Sequence, residues 1–167
     1  MIQQLVDIVS KNGNLLINIV QTPEGDLEPD MLKSLDEIGA WIAINGEGIY
    51  GTRPWKVYGE KPADAVEIKA GNFNEGKVKY TARDIRFTAS KDGKTLYAFC
   101  LGVPDSEIRI VSLGKNSKLA DKKVASVQLL GGNSKAEWQQ TADAMVIQKP
   151  ALAPHTAALA YKINFVK

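Results

Sequence analysis

The sequence predicts a mostly β chain, an antiparallel β-sandwich preceded by a helix–strand–helix slice of an α/β sheet or barrel. Three observations predict it. From about residue 85 apolar residues recur at period two in short runs, separated by Gly, Asn, Asp and Lys turns, which is the pattern of half-buried strands. Residues 1–45 instead carry two helical periodicities around one continuous apolar run. The length of 167 residues, 44% hydrophobic and 24% charged, suits one ordinary globular domain, or a small one plus an appendage.

Ile2, Leu5, Val6 and Val9 fall at i, i+3, i+4 and i+7 and predict a first helix with one apolar face. Lys11-Asn12-Gly13 supplies a basic last turn and a residue suited to a left-handed stop. No cap or linker precedes this helix, although its first N–H groups need partners. Leu15 to Val20 is apolar, too short for a helix and without alternation, which predicts a strand buried on both faces of a parallel sheet. A loop over residues 21–28 leads to a second helix from Pro29 to Asn45, with Leu32, Leu35, Ile38 and Ile42 as its buried stripe. A strand covered on both faces needs parallel neighbours, and no second run of that kind occurs. A full (β/α)₈ barrel takes roughly 250 residues. The slice is expected to be the tail of something larger.

The segment Pro54 to Pro62, rich in Pro, Tyr and Gly, is the expected join to the sandwich. Beyond it, Ile85, Phe87 and Ala89 alternate with Arg86 and Thr88, and Asp92-Gly93 turns the chain into Leu96–Leu101 as a hairpin. Further strands are expected at Val66–Lys69, Lys77–Tyr80, Ile108–Leu113, Val124–Leu130, Met145–Gln148 and Leu159–Val166. The last places Leu159, Tyr161, Ile163 and Phe165 on one face, with Lys162 and Asn164 on the other. Short strands in this number and spacing fit a sandwich.

With 21 basic against 19 acidic side chains the net charge is +2, which excludes strong steering towards nucleic acid or a membrane surface. One Cys excludes an internal disulfide, and one Cys with one His excludes the usual zinc ligand sets. No metal or cofactor is expected. No run approaches the length of a membrane span, and no signal peptide opens the sequence.

Several constellations carry a chemical and a structural reading. Gly46-Glu47-Gly48-Ile49-Tyr50-Gly51 has the spacing of a dinucleotide-binding fingerprint, but a helix precedes it and Thr-Arg-Pro-Trp follows. That chemistry needs a strand before and a helix N-terminus after, so a helix-ending connector is favoured. Glu24, Asp26, Glu28 and Asp30 form an acidic loop, explained by solvation and a helix N-terminus. As a loop leaving a strand's C-terminal end it would nonetheless lie where barrel active sites are built. Asn18, the polar residue of the apolar run, is either a satisfied core amide or a ligand-facing group. His155 is expected in a loop or edge strand, and Cys100 as a small buried hydrophobe. Lys115, Lys118, Lys122 and Lys123 lack interleaved aromatics and suit a solvated loop. Trp41, Trp55 and Trp138 could stack on sugar rings if exposed, but packing is the commoner fate of tryptophan.

The chain resembles the C-terminal part of an α-L-fucosidase of glycoside hydrolase family 29. Residues 5–16, Leu-Val-Asp-Ile-Val-Ser-Lys-Asn-Gly-Asn-Leu-Leu, resemble the family's last barrel helix–strand connection. Residues 45–55, Asn-Gly-Glu-Gly-Ile-Tyr-Gly-Thr-Arg-Pro-Trp, resemble the segment leaving its final barrel helix. Arg83-Asp84-Ile85-Arg86-Phe87-Thr88, Lys91-Asp92-Gly93 and Leu96-Tyr97-Ala98 resemble a signature of its C-terminal sandwich, and Val127-Gln128-Leu129-Leu130-Gly131 a later strand. One departure stands out. Many members follow the strand's Asn-Ile with Gly-Pro, where this chain has Val20-Gln21-Thr22-Pro23.

The resemblance implies residues 1–55 as the last part of a (β/α)₈ catalytic barrel and 56–167 as the sandwich. It implies a parent that hydrolyses α-L-fucosides with retention, which needs two carboxyl groups about 5 Å apart. No residue here matches the nucleophile or the acid/base, so no catalytic residue is assigned and the chain alone is expected to be inactive. Asn18 and Gln21 are expected near substrate. Expected partners are the rest of the barrel or a second copy, with fucosylated glycans for the parent and neither nucleic acid nor membrane. The compartment stays open, a secreted or periplasmic parent being compatible with the resemblance. The competing reading is an autonomous carbohydrate-binding or structural docking module, and exposure of Trp55, Trp138 and Tyr58 separates the two.

Overall fold

The computed structural model describes residues 1–62, 78–132 and 135–166. Among these, helices α1 (Ile2–Ser10) and α2 (Pro29–Asn45) precede strands β1 (Thr52–Glu60), β2 (Ile85–Ser90), β3 (Thr95–Cys100), β4 (Ile108–Ile110), β5 (Val124–Leu129), β6 (Trp138–Gln140), β7 (Met145–Ile147) and β8 (Leu159–Phe165). The strands pair antiparallel in two sheets, ordered β1-β2-β3-β8-β5 and β4-β7-β6.

The expected hairpin forms β2 and β3, with Ile85 opposite Cys100 and Ala89 opposite Leu96. Period two then divides these strands between two cores. One face sends Ile85, Phe87, Leu96 and Ala98 between the sheets, joined by Tyr161 and Ile163 of β8 and by Ile110, Met145 and Ile147 of the small sheet. The other face carries Arg86, Thr88, Tyr97, Phe99 and Ala160. That face is buried too, because Ile2 and Val6 of α1 and Trp41 of α2 close over it. The molecule is therefore layered helix, five-stranded sheet, three-stranded sheet. The Trp41 indole donates to the Ala158 carbonyl at 2.9 Å and its ring stands 6.1 Å from that of Phe99.

Both helices occupy their expected spans. α1 ends in a Schellman turn: Asn12 takes the left-handed conformation at φ 68°, its N–H reaches Val9 O, and Gly13 N–H reaches Ile8 O at 2.9 Å. The left-handed residue is the asparagine. α2 meets the sheet through Ile38, Trp41, Ile42 and Ile44, while Leu32 of the expected stripe is exposed.

The expected strand Leu15–Val20 does not form. Residues 13–20 have no regular secondary structure, and Leu16 is 93% exposed, with Ile19 and Val20 also exposed. A strand exists through its ladder, and this run finds no parallel neighbour among the described residues. The expected join is itself a strand: β1 is the edge of the large sheet and contains the 55/56 boundary. An edge tolerates Pro54, and the register with β2 shifts between Pro54 and Gly59. Any side chain at Gly59 would overlap the Ile85 carbonyl, so the close approach of β1 to β2 requires glycine.

The expected run Ile108–Leu113 stops at Ile110 and finishes as a 3₁₀ turn over Val111–Leu113. The Glu60 carboxylate accepts the N–H groups of Val111 at 3.0 Å and Ser112 at 2.7 Å, tying β1 to the small sheet. The expected strand Val66–Lys69 lies outside the described residues, as does Lys77, and residues 78–80 are not in a strand. β6 escaped the sequence pattern because three residues are too few to show a period.

Phe87 is fully buried and meets the Trp55 ring edge-on at 5.0 Å. We expect Phe87→Ala to lower the unfolding free energy by about 3–5 kcal/mol in urea titration. A loss below about 1 kcal/mol would mean that the inter-sheet core closes over the cavity.

Candidate functional site

The most developed polar arrangement lies at the seam between α1 and the large sheet. Helical spacing puts Asp7 on the same side of α1 as the buried Val6 and Ser10, and strand alternation puts Arg86 on the helix-facing side of β2. Arg86 Nε donates to Asp7 Oδ1 at 2.5 Å, and the Arg86 side chain is 1% exposed. Lys11, one turn on, donates to Asp7 Oδ2 at 2.6 Å. Arg86 Nη1 donates to the Ile85 and Glu60 carbonyls, and Asp84 stands 4.0 Å from Nη2. The rings of Tyr58 and Tyr80 flank the guanidinium at 5.5 and 5.6 Å, and the Lys11 ammonium covers the same Tyr58 ring.

Burial alone would raise the Asp7 carboxyl, but hydrogen bonds and charge from Lys11 and Arg86 outweigh it and hold Asp7 below its ordinary 3.8. Tyr80 is pushed up to about 12, by burial first and then by the Asp7 charge. Asp7 stays ionised and saturated with donors, so the cluster is an adhesive and not a proton-transfer pair. Neither Asp7 nor Arg86 was singled out from the sequence as a functional pair. The available signal was an acid within the apolar stripe of a helix and an arginine between Ile85 and Phe87.

The glycine-rich connector forms a second tie. Residues Gly46–Gly48 make a 3₁₀ turn leading into β1, not a phosphate loop. Gly48 packs so closely on Phe99 and Tyr97 that a Cβ would lie 2.8 Å from the Phe99 ring, and Thr88 donates to its carbonyl at 2.6 Å. The Glu47 carboxylate accepts from Lys162 Nζ at 2.6 Å and Tyr97 Oη at 3.3 Å. Burial and then the Glu47 charge raise Tyr97 to about 12. Glu47 thus ties the connector to β3 and β8.

Asn18 and Gln21 are both exposed, Asn18 within the irregular run and Gln21 where it bridges to Leu27. They are neighbours in sequence, and the seam cluster draws on neither of them. Glu24, Asp26, Glu28 and Asp30 are exposed as a solvated loop. His155 lies in a loop and accepts the Ala157 N–H on Nδ1 at 3.1 Å. Cys100 is buried and donates to the Ala82 carbonyl, and burial, then the Asp84 charge, raises its thiol to about 12, which makes it inert. The four lysines at 115–123 are exposed. Among the described residues no cluster of His, Cys, Asp and Glu could hold a metal ion. Trp41 is buried, while Trp55 and Trp138 are half-buried against the inter-sheet core. Tyr58 is 40% exposed but its ring faces Lys11 and Arg86.

Fold and seam define a class: a β-sandwich domain with a helix pair laid across one sheet and an apolar segment between those helices. Comparison with known proteins narrows it. The sequence model of the α-L-fucosidase family matches residues 1–47, and that of the α-L-fucosidase C-terminal domain matches 78–165, more than half of the chain. The chain belongs to the α-L-fucosidase family, in its C-terminal part. It is 30% identical over 154 residues to tissue alpha-L-fucosidase of Mus musculus, covering 92% of this chain and 28% of that protein. With alpha-L-fucosidase of Dictyostelium discoideum it shares 30% over 118 residues, or 70% of this chain and 21% of the other. The chain thus spans less than a third of the length of these curated relatives. A Thermotoga maritima alpha-fucosidase solved with a mechanism-based inhibitor superposes with a TM-score of 0.71 at 23% identity, over 96% of this chain and 32% of that one. Alpha-L-fucosidase isoenzyme 1 from Paenibacillus thiaminolyticus gives 0.70 at 22%, over 99% and 34%. At those identities the likeness is one of fold.

The seam yields a prediction about pH. Because the folded-state value of Asp7 is depressed, its contribution to stability is complete above the unfolded value near 3.8 and is lost as pH falls through the folded value. Asp7→Asn should cost about 3–5 kcal/mol near neutrality, since it leaves the buried Arg86 with only the more distant Asp84 carboxylate, 4.0 Å away. Urea titrations of wild type and variant should converge as pH drops below about 4. A penalty that does not vary with pH would place the effect in packing instead. The double variant Asp7→Leu with Arg86→Met should be less destabilised than either single change.

Proposed function

We propose that this chain is a non-catalytic C-terminal portion of an α-L-fucosidase, whose sandwich supports a barrel that hydrolyses α-L-fucosides with retention. One observation carries the reading. The two helices that flank the apolar run are pinned to the sandwich by Asp7–Arg86, Trp41–Ala158 and Glu47–Lys162, while Leu16, Ile19 and Val20 of the run stay exposed. A sandwich that fixes both helices sets where the run between them must lie. Leu15–Val20 then becomes a barrel strand as soon as parallel neighbours give it a ladder. Such a strand would carry Asn18 and Gln21 to its C-terminal end, the end at which barrel sites are built.

The partner in this reading is the rest of the barrel, and self-association through Leu16 and Ile19 is what the exposed run does in its absence. Purified 1–167 should release no nitrophenol from 4-nitrophenyl α-L-fucoside above buffer. Activity that survives repurification and tracks the protein would overturn the assignment. A second measurement tests the partner. Amides of residues 15–20 should exchange at nearly the rate of open chain in the isolated protein and gain protection when the parent barrel is added as a separate polypeptide. Sedimentation of Leu16→Lys should show less self-association than wild type across a tenfold concentration range. Equal association in both would place the contact elsewhere.

A further inference from the structure

We propose that the cleft at the Tyr161 end of the sandwich is a binding subsite for a neutral sugar ring. The proposal depends on the functional reading above only for its choice of probe. The cleft has a volume of about 380 Å³, within the range of small-molecule sites. It lies where the two sheets meet: Leu129 ends β5 and Tyr161 belongs to β8 of the large sheet, while Glu137 precedes β6 and Gln148 follows β7 of the small one. Its apolar surface comes from Leu129, Ala136, Pro150, Leu152 and Pro154. Its rim carries Lys135, Glu137, Gln148 and Lys149, all exposed.

Tyr161 is the informative member. The residue is 1% exposed, and its hydroxyl is bonded to no other group among the described residues. A buried hydroxyl without a partner is costly, so each one calls for an explanation. Burial holds this phenol well above its ordinary 10, so it stays un-ionised and keeps both a donor and an acceptor. The ligand class follows from the whole lining. Leu129 and the two prolines favour a C–H face. The Gln148 amide, the Glu137 carboxylate and the two ammonium groups offer acceptors and donors together, which suits hydroxyl groups. A cation would meet Lys135 and Lys149, and an anion would meet Glu137. An aliphatic ligand would leave the rim unpaired. A sugar ring, with an apolar face and a fringe of hydroxyls, matches both parts.

The test is a titration of the ¹⁵N-labelled chain with L-fucose, followed by amide shifts, with sodium sulfate as the anionic control. We expect saturable millimolar binding, with shifts at Gly131, Gly132, Ala136, Leu152 and Tyr161. Tyr161→Phe should weaken it by about threefold to tenfold, the worth of one neutral hydrogen bond. The same variant should melt no lower than wild type, because the hydroxyl it removes has no partner among the described residues. Should that variant fail to fold, Gln148→Ala, an exposed rim change, carries the same expectation of weakened binding. Absence of saturable shifts at the cleft would overturn the proposal. So would sugar binding unchanged in the folded variants, or shifts produced by sulfate alone. None of these outcomes bears on the aryl fucoside assay, so this proposal and the functional reading fail separately.

Discussion

The Asp7–Arg86 ion pair is the constraint on which the arrangement of the molecule depends. A helix of nine residues has little stability of its own in water. α1 is held because its acid meets a guanidinium that the sheet orients and that α1 itself helps to bury. Replacing the pair by apolar side chains could match it in energy, so its contribution is better sought in position. Arg86 has one geometry in which Nε reaches Asp7 while Nη1 reaches the Ile85 and Glu60 carbonyls. That geometry fixes the rotation and height of α1 on the sheet. Because the Schellman turn follows within two residues of Ser10, it also fixes the direction in which the next segment leaves.

The remaining contacts extend this logic. Glu60 caps the 3₁₀ turn after β4, so β1 is bonded to the small sheet as well as paired with β2. Glu47 ties the exit of α2 to β8 through Lys162, a half-exposed pair worth little on its own. Its energetic role is small beside the burial of Trp41 and the packing of Gly48 against Phe99. Charged residues here register apolar surfaces whose burial supplies most of the stability.

Much of the fold was legible in the sequence, for identifiable reasons. α2 was readable to its ends because Pro29 can only begin a helix and Asn45-Gly46 ends one. The β2–β3 hairpin and β8 were readable because alternation over six or seven residues resists chance. β1 was hidden because Pro54 and Gly59 look like a linker until an edge position and a register shift accommodate them. The candidate site was less legible still. Arg86 and Thr88 looked like a solvated strand face, since nothing in a strand's own sequence says that helices cover its second side.

What the sequence by itself determined is the set of local choices: where helices start and stop, which residues share a strand face, and which family the motifs resemble. These follow from periodicity, caps and turn chemistry, which act within a few residues. Only the tertiary structure decided what each face meets. It turned Asp7 and Arg86, 79 residues apart, into one pair, and it placed Tyr161 beside a cleft. It also left Leu15–Val20 without a ladder, although their composition asks for one. The reason is physical: a strand, a buried charge and a cleft are properties of two or more segments together, so no single segment encodes them.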